Sequence, residues 1–96
     1  MHFSDAGTED IYDGIDSRDA RSTLPRELCK AARRKMDMIL SAGRLEDLKV
    51  PPGNHLEALK GNLKGYYSVR INDQYRIIFR WEDEKGASKI KIVDYH

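Results

Sequence analysis

Residues 65–81, "GYYSVRINDQYRIIFRW", alternate with a period of two on both sides of a turn signal. Such alternation fits a half-buried strand and excludes a helix, whose apolar residues return every three or four positions. In the first run Tyr67, Val69 and Ile71 fall on one side, with Tyr66, Ser68 and Arg70 on the other. "ND" at 72–73 turns the chain. In the second run Tyr75, Ile77, Phe79 and Trp81 share the apolar side, opposite Arg76, Ile78 and Arg80. "EDEKGAS" at 82–88 makes a second turn. The last run then sets Ile90 and Ile92 against Lys89, Lys91, Val93 and Tyr95. Three strands in hairpin succession form an antiparallel meander, apolar on one face and basic on the other.

An apolar sheet face has to be covered, and the N-terminal half supplies the cover. Leu24, Leu28, Ala32, Met36, Ile39 and Leu40 recur at helical spacing, which predicts a helix over 24–42 with Thr23 as its cap and Gly43 as its stop. Arg26, Lys30, Arg33, Arg34 and Lys35 fall mostly on its other faces. "GTEDIYDG" at 7–14 reads as a short helix capped by Thr8 and ended by Gly14, and residues 2–4 as a very short strand. The polar 15–22 stretch reads as a loop. So does 45–61, broken by Pro51, Pro52, Gly53 and Gly61, with a short extended piece on each side. The fold class is therefore α+β, helices first and then an antiparallel sheet, in a single domain over residues 1–96.

Composition narrows the chemistry. No apolar run approaches the length of a membrane span, and the N-terminus lacks the basic start and apolar stretch of a secretory signal. Cys29 has no second cysteine to pair with, which fits a reducing, cytoplasmic setting, and it reads as a small buried residue of the long helix. His2, His55 and His96 have no His or Cys partner at ligand spacing, and no phosphate-binding glycine loop or nucleophile-elbow motif occurs, so neither a metal nor a cofactor is expected. Net charge is +1, but residues 1–48 hold 8 Lys/Arg against 10 Asp/Glu, and residues 49–96 hold 9 against 6. The basic half is the one with the strands, a surface suited to phosphate.

Cleaving RNA without a metal requires a group to take the 2′-hydroxyl proton, a cation for the phosphorane, an acid for the departing 5′-oxygen and rings to stack the bases. Asp94, Tyr95 and His96 are candidates for the proton work, Arg70, Arg76 and Lys60 for the charge, and Tyr66, Tyr67 and Tyr95 for stacking. Tyr67 is the weakest of these, because its parity is that of the apolar face.

Read together, "GTEDIYDG", then "LEDLKVPPGNHLEALKGNLKGYYSVRINDQYRIIFRW", and the closing "KIVDYH" resemble the HigB-type toxins of the RelE superfamily over nearly the whole chain. The resemblance implies a compact α+β domain with a curved sheet. It also implies a ribosome-dependent mRNA endoribonuclease that inhibits translation, neutralised by a HigA-type helix-turn-helix antitoxin through which alone it meets operator DNA. The family's terminal Asp, Tyr and His match Asp94, Tyr95 and His96, its sheet arginine matches Arg76, and its turn lysine matches Lys60. Where some active members carry a His three residues before that lysine, this chain has Glu57, with His55 two residues off; either is a candidate base. Arg70, Arg80, Lys89, Lys91 and Tyr66 complete the expected RNA surface. Negative charge from Asp94 and the terminal carboxylate would favour a protonated His96, as a general acid requires. A gyrase-binding toxin like ParE, or a catalytically inactive antitoxin-binding module of the same fold, is the alternative.

Overall fold

Asp5 opens the first helix. Its backbone is extended and its carboxylate accepts the Thr8 N–H at 2.8 Å, so α1 spans Ala6–Asp13. Gly14 ends it in the left-handed region at φ 77°, where a side chain would be strained. Thr8, expected to be the cap, is instead fully buried in the first turn. Its Oγ1 accepts the Ile92 N–H at 3.1 Å and so ties α1 to the last strand.

The stretch expected to be a loop contains a second helix, α2, Arg18–Thr23, capped by the Ser17 hydroxyl, which accepts the Ala20 N–H at 3.0 Å. Only Ala20 of this helix is buried, so it has no apolar periodicity to betray it. Gly7 lets α1 and α2 touch: a Cβ there would run into the Thr23 side chain and the Asp19 carbonyl. Thr23 thus closes α2 rather than capping the long helix. That helix, α3, begins later than the sequence suggests, at Cys29–Ser41, after Pro25 and a single 3₁₀ turn at Arg26–Leu28. Ala32, Met36 and Ile39 are its buried face.

The computed structural model describes residues 2–94. Within them the sheet has four antiparallel strands in the order β1–β2–β3–β4: Glu57–Ala58, Tyr66–Arg70, Tyr75–Glu82 and Gly86–Asp94. β1 is the added strand, and two residues are too few to show an alternation. At the other edge Phe3 makes a parallel bridge to Ile90, with Ser4 N–H donating to the Ile90 carbonyl at 2.9 Å and Ile90 N–H to the His2 carbonyl at 2.7 Å. The short N-terminal strand is therefore a single bridge.

The third run departs from simple alternation. Ile78 faces Lys91 but Arg80 faces Ser88, so β4 carries an extra residue in a β-bulge. Lys89, exposed and left-handed at φ 50°, sits in that bulge. Ser88, not Lys89, is the neighbour of Arg80. The apolar face of the sheet, with Val69, Ile77, Phe79, Ile90 and Ile92, packs under Ile11, Leu24, Met36 and Ile39 of the helical layer. Cys29 is half-buried rather than fully inside. Among the described residues no helix is long and apolar enough to cross a membrane.

Candidate active site

Strand pairing lays the second face of the sheet out in rows. Tyr66, Arg80 and Ser88 make one row, Glu57, Ser68, Ile78 and Lys91 the next, and Arg70, Arg76 and Val93 the third. Directly opposed residues have Cβ atoms about 4.5–5.5 Å apart, so the side chains of Arg70 and Arg76 start from neighbouring positions. Each is offset by a carboxylate. Arg70 pairs with Asp73 of the β2–β3 turn, and Arg76 Nη2 lies 3.1 Å from Glu57 Oε1.

Arg76 is the hub. Its Nη1 donates to Ser68 Oγ at 3.0 Å and to the His55 carbonyl at 3.3 Å. The alternation predicts a solvent-facing Arg76, yet its side chain is only 14% exposed. The reason is that this face is partly covered. Ser68 is fully buried and Ile78 nearly so, and the Pro52–Asn54 turn packs against β2. Ser68, the buried acceptor that holds the Arg76 guanidinium, is the member of this cluster missed by sequence reasoning. Its parity places it beside Arg70, and a hydroxyl between two charged rows was the available signal.

The loop that brings Glu57 to Arg76 is built on Asn54. This side chain is 1% exposed, and its Nδ2 donates to the Leu48 carbonyl at 3.2 Å and the Val50 carbonyl at 3.5 Å. Its Oδ1 accepts from Lys35 Nζ of α3. Burial, with Arg34 nearby, holds the Lys35 ammonium below the ordinary lysine range. The "PPGN" motif thus anchors a loop to the core, and the next residue, His55, presents its carbonyl to the guanidinium from a left-handed backbone at φ 46°.

The remaining expected residues divide. Tyr66 and Arg80 are cross-strand neighbours, the tyrosine half-buried and the arginine exposed. Lys91 is exposed in the central row, and Lys60 is exposed just past β1 at the start of the 3₁₀ turn Gly61–Leu63. Tyr67 packs inward, its ring 6.3 Å from that of Phe79. Asp94 faces Tyr75 and so has the parity of the core side, not that of Arg76. Its Oδ2 accepts from Gln74 Nε2 at 3.0 Å. Tyr95 and His96 lie outside the described residues. Among the described residues no three His, Cys, Asp or Glu side chains come together as a metal site.

Arg70 and Arg76 are rooted at directly opposed positions, with their guanidiniums turned to Asp73 on one side and to Glu57, Ser68 and the His55 carbonyl on the other, so an anion on this face has two arginines to draw on and a carboxylate beside it. The whole chain, residues 1–96, matches the family of the RelE-like toxin of the type II toxin–antitoxin system HigB. It is 41% identical over 96 residues to toxin HigB-1 of Vibrio cholerae serotype O1, covering all of this chain and 96% of that protein. It is 38% identical over 84 residues to an uncharacterized protein of Haemophilus influenzae, covering 88% of this chain and 80% of that one.

Proposed function

Since this chain belongs to the HigB-like toxins, the RelE-like toxins of type II toxin–antitoxin systems, we propose that it is a ribosome-dependent endoribonuclease that cuts mRNA in the decoding site and so stops translation. Membership in such a system gives it an antitoxin partner; in this reading the antitoxin is of the helix-turn-helix HigA type, and the toxin meets operator DNA only through it. Both proteins act in the cytoplasm.

The observation that carries the reading is the cross-strand pair Arg70 and Arg76 with Glu57 at its side. Two arginines rooted at opposed positions on one face, each answered by a surface carboxylate, can exchange that partner for a phosphate, and a phosphorane carries more negative charge than the phosphate from which it forms. In the proposed reaction Arg76 and Arg70 bind the scissile phosphate. Glu57, released from Arg76, takes the proton of the 2′-hydroxyl, and that oxygen attacks phosphorus. The bond to the 5′-oxygen breaks as His96 donates a proton to it, leaving a 2′,3′-cyclic phosphate and a free 5′-hydroxyl. Tyr66 and Tyr95 stack the bases, and Lys60, Arg80, Lys89 and Lys91 follow the backbone of the message. Asp94, bonded to Gln74, acts on the end of β4 and not on the phosphate.

The test is cleavage of mRNA on programmed ribosomes. The parent protein should cut, and His96→Gln, which keeps shape but loses the transferable proton, should be slower by about 10²–10⁴. A substrate with a 5′-phosphorothiolate, whose leaving group needs little protonation, should rescue His96→Gln but not Arg76→Ala. Intact message with the parent protein, or supercoiling that collapses before translation in cells, would replace this reading with that of a gyrase poison.

A further inference from the structure

A concavity lies entirely in the helical layer. Ile11, Ala20, Leu24 and Cys29, from α1, α2, the segment between the helices and α3, form the floor of a cavity of ≈ 200 Å³. Small-molecule pockets usually run from about 300 Å³ upward, so this one suits a single apolar side chain rather than a whole ligand. At its edge Ile15 is 51% exposed, an apolar residue left facing water beside an apolar floor.

The rim is basic. Arg21, Arg26, Lys30 and Arg33 line it, four of the eight cations in a half of the chain whose net charge is negative. The carboxylate on the rim, Asp16, is shared by Arg21 at 3.3 Å and Arg26 at 2.7 Å, and those contacts hold it below the usual carboxylate range. Among the described residues Lys30 and Arg33 have no carboxylate within ion-pair distance. An apolar hole with two uncompensated cations beside it is complementary to an acidic peptide with an apolar anchor. Nucleic acid fits less well, because the lining holds no aromatic ring on which a base could stack.

We propose that this groove is the docking site for an acidic segment of the antitoxin, which seats one apolar side chain on the Leu24 floor and sets carboxylates against Lys30 and Arg33. The inference rests on the antitoxin partner that the family implies and not on the nuclease chemistry. No strand residue lines the groove, so its occupant leaves the Arg76 row uncovered. Docking here holds the toxin by its helical layer and not by that row.

Cys29, the chain's single cysteine, reports on the floor. The full chain is prepared free and bound to the protein encoded by the adjoining reading frame, and both are treated with a maleimide. The free toxin should be labelled at Cys29, and the bound toxin should stay unlabelled over the same time. The double substitution Lys30→Glu with Arg33→Glu, the first exposed and the second half-buried on the rim, should weaken binding of that protein by about tenfold or more and leave the urea midpoint and ribosomal cleavage unchanged. Equal labelling in both forms, or full affinity in the charge-reversed toxin, overturns the proposal. So does protection of Cys29 by ribosomes but not by the antitoxin, which would assign the groove to RNA. If cleavage is absent in the parent but the double substitution still releases the antitoxin, the nuclease reading fails and this one stands.

Discussion

Arg76 has a structural role beside the one proposed for it in cleavage, and its surroundings explain why the two cannot be separated cleanly. The guanidinium satisfies the buried Ser68 hydroxyl and the His55 carbonyl as well as pairing with Glu57. Arg76→Ala should therefore lose most cleavage and also destabilise the fold by about 1–3 kcal/mol, the cost of leaving a buried polar group unmatched. Urea denaturation and the programmed-ribosome assay measure the two losses separately; Arg76→Ala that cuts normally would remove it from the site. Glu57 poses the opposite case. It is 52% exposed, so its ion pair contributes no more than about 1 kcal/mol. Glu57→Gln removes one competitor of phosphate for Arg76 and, in the proposed reaction, the base. The expected result is a lower KM, by up to about fivefold, together with a lower kcat. His55→Ala keeps the carbonyl that Arg76 uses and should change kcat less than Glu57→Gln does. The reverse order would make the His55 imidazole the base.

At the level of elements, the site depends on a loop with little regular structure. Residues 50–56 are held by the Asn54 amide, which bridges the Leu48 and Val50 carbonyls while α3 reaches it through Lys35. Asn54→Ala leaves those groups without their partner and should cost about 1–3 kcal/mol of stability. It should also slow cleavage, although Asn54 is buried and cannot touch RNA, because the loop positions Glu57 and the His55 carbonyl. Hydrogen exchange of the 50–58 amides, compared with those of β3, tests the local character of the effect. Uniform loss of protection would mean that Asn54 supports the whole fold and not the loop. The β4 bulge is the other element with consequences for the site. By adding Lys89 it shifts Ser88 into the row of Arg80 and Tyr66 and keeps Ile90 and Ile92 on the core side. A strand without it would turn one of those sets over to the wrong face.

For the molecule as a whole, each layer carries a basic surface of its own. The sheet carries its basic rows on the side away from the helices, and the helical layer carries its own basic groove on the surface. Arg80→Ala and Lys91→Ala, on exposed sheet positions, should each weaken ribosome or RNA binding evenly across sequences and reduce the salt slope by about one ion. Affinity for the antitoxin should not change. A titration of both partners against salt decides it, and a parallel loss of antitoxin binding would show that the two surfaces are not separate.

The sequence by itself determined the meander, its two faces and the family, because strand parity and turn residues are local signals that survive without knowledge of neighbours. It placed Tyr66, Arg70, Arg76 and Arg80 together for the same reason: residues two apart on paired strands share a face wherever the sheet lies. What it left undetermined was whatever depends on a distant contact. A two-residue β1 and an α2 with one buried residue carry no period, so only their packing reveals them. The extra residue at Lys89 is legible only against the strand that opposes it. Thr8 looked like a cap, since its local setting fits one, and became a cross-layer link because Ile92, 84 residues away, needed an acceptor. Arg76 looked exposed for a similar reason. Alternation tells which way a side chain points, and only the tertiary structure decides what stands in front of it.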